Sequence, residues 1–358
     1  MRIVAWPAFA NKEVNPYNSL LYSALNNLGV NVIEAKRVAN NPFIPFDILH
    51  LHWPEYPLSE GLPKLITGLI RVFALTLLAK MRGAKVVWTV HNLRPHERRW
   101  PKLEPLFYKW LVTVVDGAIF LSKRTAALVR EDPLLRPLLH KPWVVIPHGH
   151  YRDAYPSPPS REKAREQLGL DDGARVLLFF GQMRPYKGIE QLMEAFRCVR
   201  DPDVRLLIAG KPSSPAYAEC LRNRATEDHR IVFLPGFFAE REVPVFFAAC
   251  DVVVLPYTSI LNSGSVLLAL SFEKPVLAAR LGSLPEIAKG LEEGWVMLYD
   301  PPLTGEHLRK RLLTPPGSKE LLERVLWELR WDRIAEGTLD FYRQVASCSS
   351  KVGGSPLR

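Results

Sequence analysis

A chain of 358 residues, 47% of them hydrophobic, suits two domains of ordinary size, each with its own core. Its four cysteines (Cys198, Cys220, Cys250, Cys348) are scattered without a CxxC spacing, which excludes a disulfide framework and argues against a structural zinc site. The net charge of +10 lies wholly in residues 1–152, which hold 20 Lys and Arg against 10 Asp and Glu, so the first half is expected to meet something anionic.

In chain order the pattern alternates strand and helix. Residues 2–6 predict a strand entered directly, with no signal peptide before it, and a helix follows over 17–28. Apolar runs at 30–33, 46–52, 85–91, 117–122 and 143–147 predict further strands of a parallel sheet buried on both faces. Between them, Leu62, Leu65, Ile66, Leu69, Ile70, Phe73 and Leu77 recur at helical spacing, with Lys64, Arg71, Lys80 and Arg82 among or beside them. The run is expected to be too short and too charged to span a bilayer. It fits either a core helix or a basic amphipathic helix on an anionic membrane surface. No RNA-binding aromatic motif or DNA-reading helix appears, so nucleic acid is not expected as a partner.

The Pro-rich stretch 155–160 predicts a linker. A second series of strands then follows at 175–181, 204–210, 231–234, 252–255 and 275–278. The expected fold class is α/β, with two Rossmann-like doubly wound domains facing a cleft. The expected division is 1–152 for the first domain and 153–330 for the second. Residues 331–345 are expected as a terminal helix crossing back, and 346–358 as a disordered tail.

The chemistry concentrates after two strands of the second series. Gly181-Gln182-Met183-Arg184-Pro185-Tyr186-Lys187-Gly188 follows a buried strand and opens a helix. Unpaired N–H groups and two cations there suit a diphosphate, although a surface turn with two cations is also common. Asn262-Ser263-Gly264-Ser265 follows the strand that ends toward Tyr257 and opens another helix. In the first half, Glu55 lies on the loop after the strand ending at His52. His91 ends another buried strand, and His96 and Glu97 follow it. His50 and His52 alternate and so share one face, but no third ligand at suitable spacing makes them a metal pair.

These segments carry a resemblance. Arg184, Lys187 and Gly188 match the Arg-x-x-Lys-Gly donor motif of GT-B glycosyltransferases. Ile146-Pro147-His148-Gly149 resembles their interdomain corner, Ser283-Leu284-Pro285-Glu286-Ile287 their last donor-side helix entry, and residues 331–342 their terminal helix. A narrower match runs through Asn15-Pro16-Tyr17, His50-Leu51-His52-Trp53-Pro54-Glu55, His91-Asn92-Leu93 with Pro95-His96-Glu97, His148 to Asp153, and Asn262-Ser263-Gly264. These resemble the xanthan-type GDP-mannose:glycolipid β-1,4-mannosyltransferases. That resemblance implies a mannose transfer from GDP-mannose, with inversion and without a metal or other cofactor, onto a polyprenyl-diphosphate-linked oligosaccharide. The implied setting is exopolysaccharide assembly, with the protein cytoplasmic and peripheral on the inner face of the bacterial plasma membrane.

The resemblance also distributes roles. Donor binding falls to Gly181, Arg184, Lys187, Gly210, Lys211, Gly236, Phe237, Tyr257, Asn262, Ser263, Gly264, Ser265 and Glu286. Asn15, Tyr17, His52 and Trp53 are expected on the acceptor side, although Tyr17 equally suits a helix core. Retaining relatives of this layout place two glutamates around the donor loop, where this chain has Leu261 and Ala269. An inverting mechanism then needs a base. Glu55 is the first candidate, Glu97 and His96 are its rivals, Asp153 falls near the hinge, and His91 is expected to touch the donor sugar or its phosphate. Two alternatives stay open: a GT-B transferase with another nucleotide sugar or acceptor, or a non-catalytic sugar-nucleotide-binding subunit.

Overall fold

A computed structural model describes residues 1–95, 97–291 and 294–348. The chain forms two compact units, one of Met1–Gly149 with the segment from Leu329 onward, the other His150–Glu328. The divisions therefore fall three and two residues earlier than the sequence suggests. The Pro-rich stretch at 155–160 is not a linker between the units. It lies inside the second one, with Tyr155 packed on Phe272 at a ring separation of 5.8 Å.

The first unit holds six strands: β1 (Arg2–Trp6), β2 (Asn31–Glu34), β3 (Ile48–Leu51), β4 (Lys85–Val90), β5 (Gly117–Phe120) and β6 (Trp143–Val145). They form one parallel sheet in the order β2-β1-β3-β4-β5-β6. The order reverses between β1 and β3, so ligand chemistry is expected beyond the carboxyl ends of those strands. Alternate residues feed two apolar layers. Leu49, Leu51, Val86, Trp88 and Val90 face one, while Ile3, Ala5, Ile48 and Val87 face the other.

The second layer is closed by the helices Tyr17–Asn27 and Trp331–Ser347, which contact each other. Trp331, Ile334, Leu339, Phe341, Tyr342 and Val345 are buried there, so the last helix belongs to the core of the first unit. Gly117 makes this approach possible: a Cβ at that position would stand 2.7 Å from the Val345 side chain. The helix runs to Ser347, so the tail expected from 346 starts inside it; residues 349–358 lie outside the described residues.

Helix Leu62–Met81 is 20 residues long and, by length and composition, apolar enough to cross a membrane, which corrects the expectation that the run was too short and charged. Its packing is two-sided. Leu65, Val72, Leu75, Thr76 and Ala79 are buried against the sheet of the first unit, whereas Leu62, Ile66, Ile70, Phe73, Leu77 and Met81 are exposed. The helix therefore has a core face and an apolar outer face.

The second unit repeats the architecture. Its strands are β7 (Arg175–Phe180), β8 (Val204–Gly210), β9 (Ile231–Pro235), β10 (Val252–Leu255), β11 (Val276–Ala279) and β12 (Val296–Tyr299). They form a parallel sheet in the order β12-β11-β10-β7-β8-β9. This is the dinucleotide-fold order, with its reversal between β7 and β10. The two segments singled out in the sequence, Gly181 to Gly188 and Asn262 to Ser265, follow those two strands.

Candidate active site

In the second unit the loops after β7, β8 and β9 are tied by backbone hydrogen bonds. Gly181 N–H donates to Ala209 O at 3.0 Å, Met183 N–H to Lys211 O at 2.8 Å, and Gly236 N–H to Gly210 O at 2.8 Å. Gly181, Gly210, Lys211 and Gly236 are thereby brought to one end of the sheet, beside the exposed Phe237. After β7 the chain makes a short 3-10 turn, Pro185–Lys187, and enters helix Ile189–Arg197 through Gly188 at φ 69°. Only glycine fits there: besides the positive φ, a Cβ would meet the Pro256 carbonyl.

Tyr257 joins this turn to the loop after β10. Its buried ring lies under the Lys187 ammonium, 3.9 Å from Nζ to the centroid. Burial raises its phenol pKa, but the nearby Lys187 ammonium, with smaller contributions from Ser265 and Ser263, outweighs burial, so the net direction is downward. Thr258 N–H donates to Tyr186 O at 2.9 Å and closes the link. Helix Gly264–Ser271 starts here with Ser263 at its N-cap, so its first amides open beside a fixed ammonium. Arg184 Nε donates to Gln182 Oε1 at 3.2 Å.

Glu286 is exposed in the first turn of helix Leu284–Ala288. That turn is fastened to the donor loop by Ser283 N–H donating to Leu261 O at 2.8 Å. The predicted donor residues thus fall on the loops at one end of the second sheet. Sequence reasoning placed Tyr257 among them without a mechanism; its part is to bind the Lys187 turn to the amino end of Gly264–Ser271. No Asp or Glu occurs from Tyr257 to Phe272.

In the first unit His52, Glu55 and His91 follow β3 and β4 at their carboxyl ends, and all three are buried. His52 Nδ1 lies 2.9 Å from His91 Nε2. His52 Nε2 meets the Tyr22 hydroxyl at 2.5 Å, and that hydroxyl also reaches His50 Nδ1 at 2.8 Å. Tyr342 meets the same His50 nitrogen at 2.6 Å, and His50 Nε2 meets Thr89 Oγ1 at 2.8 Å. Burial pushes the imidazoles down, His50 to about 3 and His148 to about 4, with His52 and His91 also well below the ordinary range. All four are neutral near pH 7.

Trp53, half-buried, stacks on His91 with centroids 4.2 Å apart and planes 22° apart. Tyr17 is 2% exposed and sits edge-on to His52, His91, His148 and Trp331, which favours the core role over an acceptor contact. Asn15 accepts the Tyr17 N–H at 3.1 Å, a local turn at the start of the helix.

Glu55 is buried rather than presented on an open loop. Its Oε1 accepts from Asn92 Nδ2 at 3.2 Å, while Oε2 has no hydrogen-bond partner among the described residues. Burial raises its pKa to about 7, against smaller lowering from its own backbone N–H and from Asn92. Glu97 is more exposed and pairs with Arg99 at 3.4 Å. His96 lies outside the described residues. Among the described residues no group of three or more His, Cys, Asp or Glu is placed to hold a metal ion.

Sequence reasoning did not find the Tyr22–His50–Tyr342–His52 connection. The alternation of His50 and His52 marked a shared face, but Tyr342 is 292 residues from His50 and no local pattern links them.

Two parallel six-stranded sheets, with phosphate-suited loops at the reversal point of the second, define a GT-B glycosyltransferase. Residues 160–312 match the family model described as glycosyl transferases group 1. Sucrose-phosphate synthase of Thermosynechococcus elongatus shares the fold at TM-score 0.71 and 17% identity, over 97% of this chain and 99% of that one. The Anabaena protein HepE, solved in complex with UDP, shares it at TM-score 0.60 and 18% identity, over 97% and 98%. A GDP-mannose:glycolipid 4-β-D-mannosyltransferase of Xanthomonas campestris pv. campestris is 36% identical over 295 residues, 81% of this chain and 77% of that protein. The chain belongs to that mannosyltransferase family and is a glycosyltransferase.

Proposed function

We propose that the protein transfers mannose from GDP-mannose, with inversion, onto a polyprenyl-diphosphate-linked oligosaccharide in exopolysaccharide biosynthesis. The observation that carries this is the likeness to the Xanthomonas enzyme across four-fifths of the chain, which includes residues of both units. The donor loops are consistent with it. Lys187 and Arg184, with the first amides of Gly264–Ser271, suit the leaving diphosphate, on which negative charge grows as the sugar departs. The Phe237 ring offers a face for the base beside Gly210, Lys211 and Gly236, and Glu286 the ribose contact that the resemblance implies. No carboxylate stands in the donor loop or its helix to support retention, so the acceptor hydroxyl attacks the anomeric carbon directly. A base takes the proton as the bond to the diphosphate breaks. Glu55, with its pKa near neutrality, is the leading base, and Glu97 and His96 remain its rivals. No metal or other cofactor is required in this scheme.

The outer face of Leu62–Met81 supports a position on the inner face of the bacterial plasma membrane. Leu62, Ile66, Ile70, Phe73, Leu77 and Met81 form an exposed apolar stripe, with Lys64, Arg71, Lys80 and Arg82 around it. The helix lies along the surface rather than across the bilayer because its other face is committed to the core.

The test is incubation with a panel of nucleotide sugars and a polyprenyl-diphosphate-linked saccharide, followed by NMR of the product. The expected product is a β-mannoside formed from GDP-mannose alone. An α-linked product would overturn inversion, transfer from another nucleotide sugar would overturn the donor, and no turnover of any donor would favour a non-catalytic subunit.

A further inference from the structure

Arg311 is a buried cation that forms no ion pair among the described residues. It sits in the last turn of helix Gly305–Leu313, is 1% exposed, and donates from Nη2 to the Thr314 and Pro315 carbonyls at 2.6 and 3.5 Å. Its Nε and Nη1 have no hydrogen-bond partner among the described residues. The other buried arginines of the second unit are answered by carboxylates, Arg165 by Asp251 at 3.1 Å and Arg230 by Asp228 at 2.7 Å. An unpaired buried charge is costly to fold around, and burial pulls the Arg311 pKa down.

What Arg311 lines accounts for that cost. A cavity of about 300 Å³ opens between the starts of β7, β10 and β11 and the end of helix Gly305–Leu313. Arg175, Asp251 and Pro275 border it on the sheet side, and Leu313, Thr314 and Pro315 on the other. The carbonyls that hold Arg311 Nη2 thus belong to the rim of the cavity, which sets the guanidinium at its wall. The other charges of the lining are already matched: Arg175 pairs with Asp201, and Asp251 with Arg161 at 2.7 Å as well as with Arg165. One positive charge is left over, on Arg311.

We propose that this cavity binds a small monocarboxylate, its carboxylate set against the Arg311 guanidinium and its apolar body against Pro275, Leu313 and Pro315. A single carboxylate matches the one unbalanced charge and gives a guanidinium its preferred charge-assisted hydrogen bonds. A phosphate dianion would overbalance it. Arg311 Nε and Nη1 are covered by protein, so contact takes a turn of the guanidinium toward the cavity that it lines. The site is separate from the donor loops. It lies at the amino ends of strands whose carboxyl ends carry those loops, about 20 Å away along the six residues of β7. All its residues belong to the second unit, and nothing in it depends on the reaction proposed above.

The experiment is methyl NMR of the full-length protein labelled in leucine and valine, titrated with sodium hexanoate against sodium chloride of equal ionic strength. Saturable shifts are expected at Val252 and Leu313, which line the cavity, and they should persist in Lys187→Ala, which removes a donor-loop cation. Arg311→Met keeps an apolar stem without the charge. It should weaken hexanoate binding at least about tenfold and, without hexanoate, raise Tm, because the unpaired buried charge is gone. Leu313→Glu is the second variant, at a residue 74% exposed on the cavity rim. Its carboxylate gives Arg311 a partner within the chain, so it should raise Tm and exclude hexanoate. No saturable shift, or equal affinity in a folded Arg311→Met, would overturn the site. Shifts with inorganic phosphate and none with hexanoate would overturn the carboxylate. If Arg311→Met does not fold, Leu313→Glu decides: lost hexanoate binding supports the proposal, and wild-type affinity sinks it.

Discussion

At the scale of the residue, Lys187 and Glu55 carry the sharpest expectations. Lys187 is held over Tyr257 and beside the amino end of Gly264–Ser271, a placement that suits a diphosphate. Lys187→Ala is expected to weaken GDP binding at least tenfold by calorimetry, the loss of one charge-assisted contact; unchanged affinity would remove Lys187 from the donor site. Glu55 has a folded-state pKa raised to about 7 from an ordinary 4.5. A raised pKa means the folded protein binds the proton more tightly, so its favourable contribution is complete below pH 4.5 and is lost as pH rises through 7. Glu55→Gln removes the ionisation and should stabilise the protein by about 3 kcal/mol at pH 8 but hardly at pH 4, read as a difference in Tm. The same variant should abolish turnover if Glu55 is the base, and leave it intact if Glu97 or His96 serves. Lys187 was legible in the sequence because its motif is local. The burial of Glu55 was not, because a loop carboxylate after a strand looks the same whether it faces solvent or the protein interior.

At the scale of the element, helix Leu62–Met81 shows what periodicity can and cannot say. Its apolar residues recur too densely for one face, and the sequence left a core helix and a membrane-surface helix both open. Leu65, Leu75 and Ala79 join the core beside the sheet, Val72 is buried too, and Leu69 is half-buried against the same core, so Leu69 drops out of the outer stripe. Ile66→Gln, Ile70→Gln and Leu77→Gln together should abolish flotation with anionic vesicles while leaving Tm within a few degrees, since these side chains are exposed. A Val72→Ala variant should instead lower stability by about 1–3 kcal/mol, because it opens a cavity beneath the helix. Persistent flotation of the triple variant would place the membrane contact elsewhere.

At the scale of the whole molecule, the first unit is completed by the last described segment of the chain. Deleting residues 329–358 should expose the layer that Trp331, Ile334, Phe341, Tyr342 and Val345 cover and leave the first unit unfolded, seen as the loss of one calorimetric transition. The same layer makes acid a specific threat. His50, His52, His91 and His148 have folded-state pKa values depressed below 6.5, so their contribution is complete above that pH and lost as pH falls through 4 toward 3. Thermal stability should therefore drop between pH 6.5 and 4, and a flat profile there would contradict burial of the histidines. The sequence by itself determined the two series of buried strands, the phosphate-suited turn at Arg184 and Lys187, and the missing glutamates at Leu261 and Ala269. Each of these is written in neighbouring residues, by strand-length apolar runs or by short motifs. Only the tertiary structure decided the role of Tyr257, the burial of Glu55 and the chain from Tyr342 to His91. Those depend on groups far apart in sequence that meet only once each unit's own sheet, with the closing helix in the first unit, has excluded water.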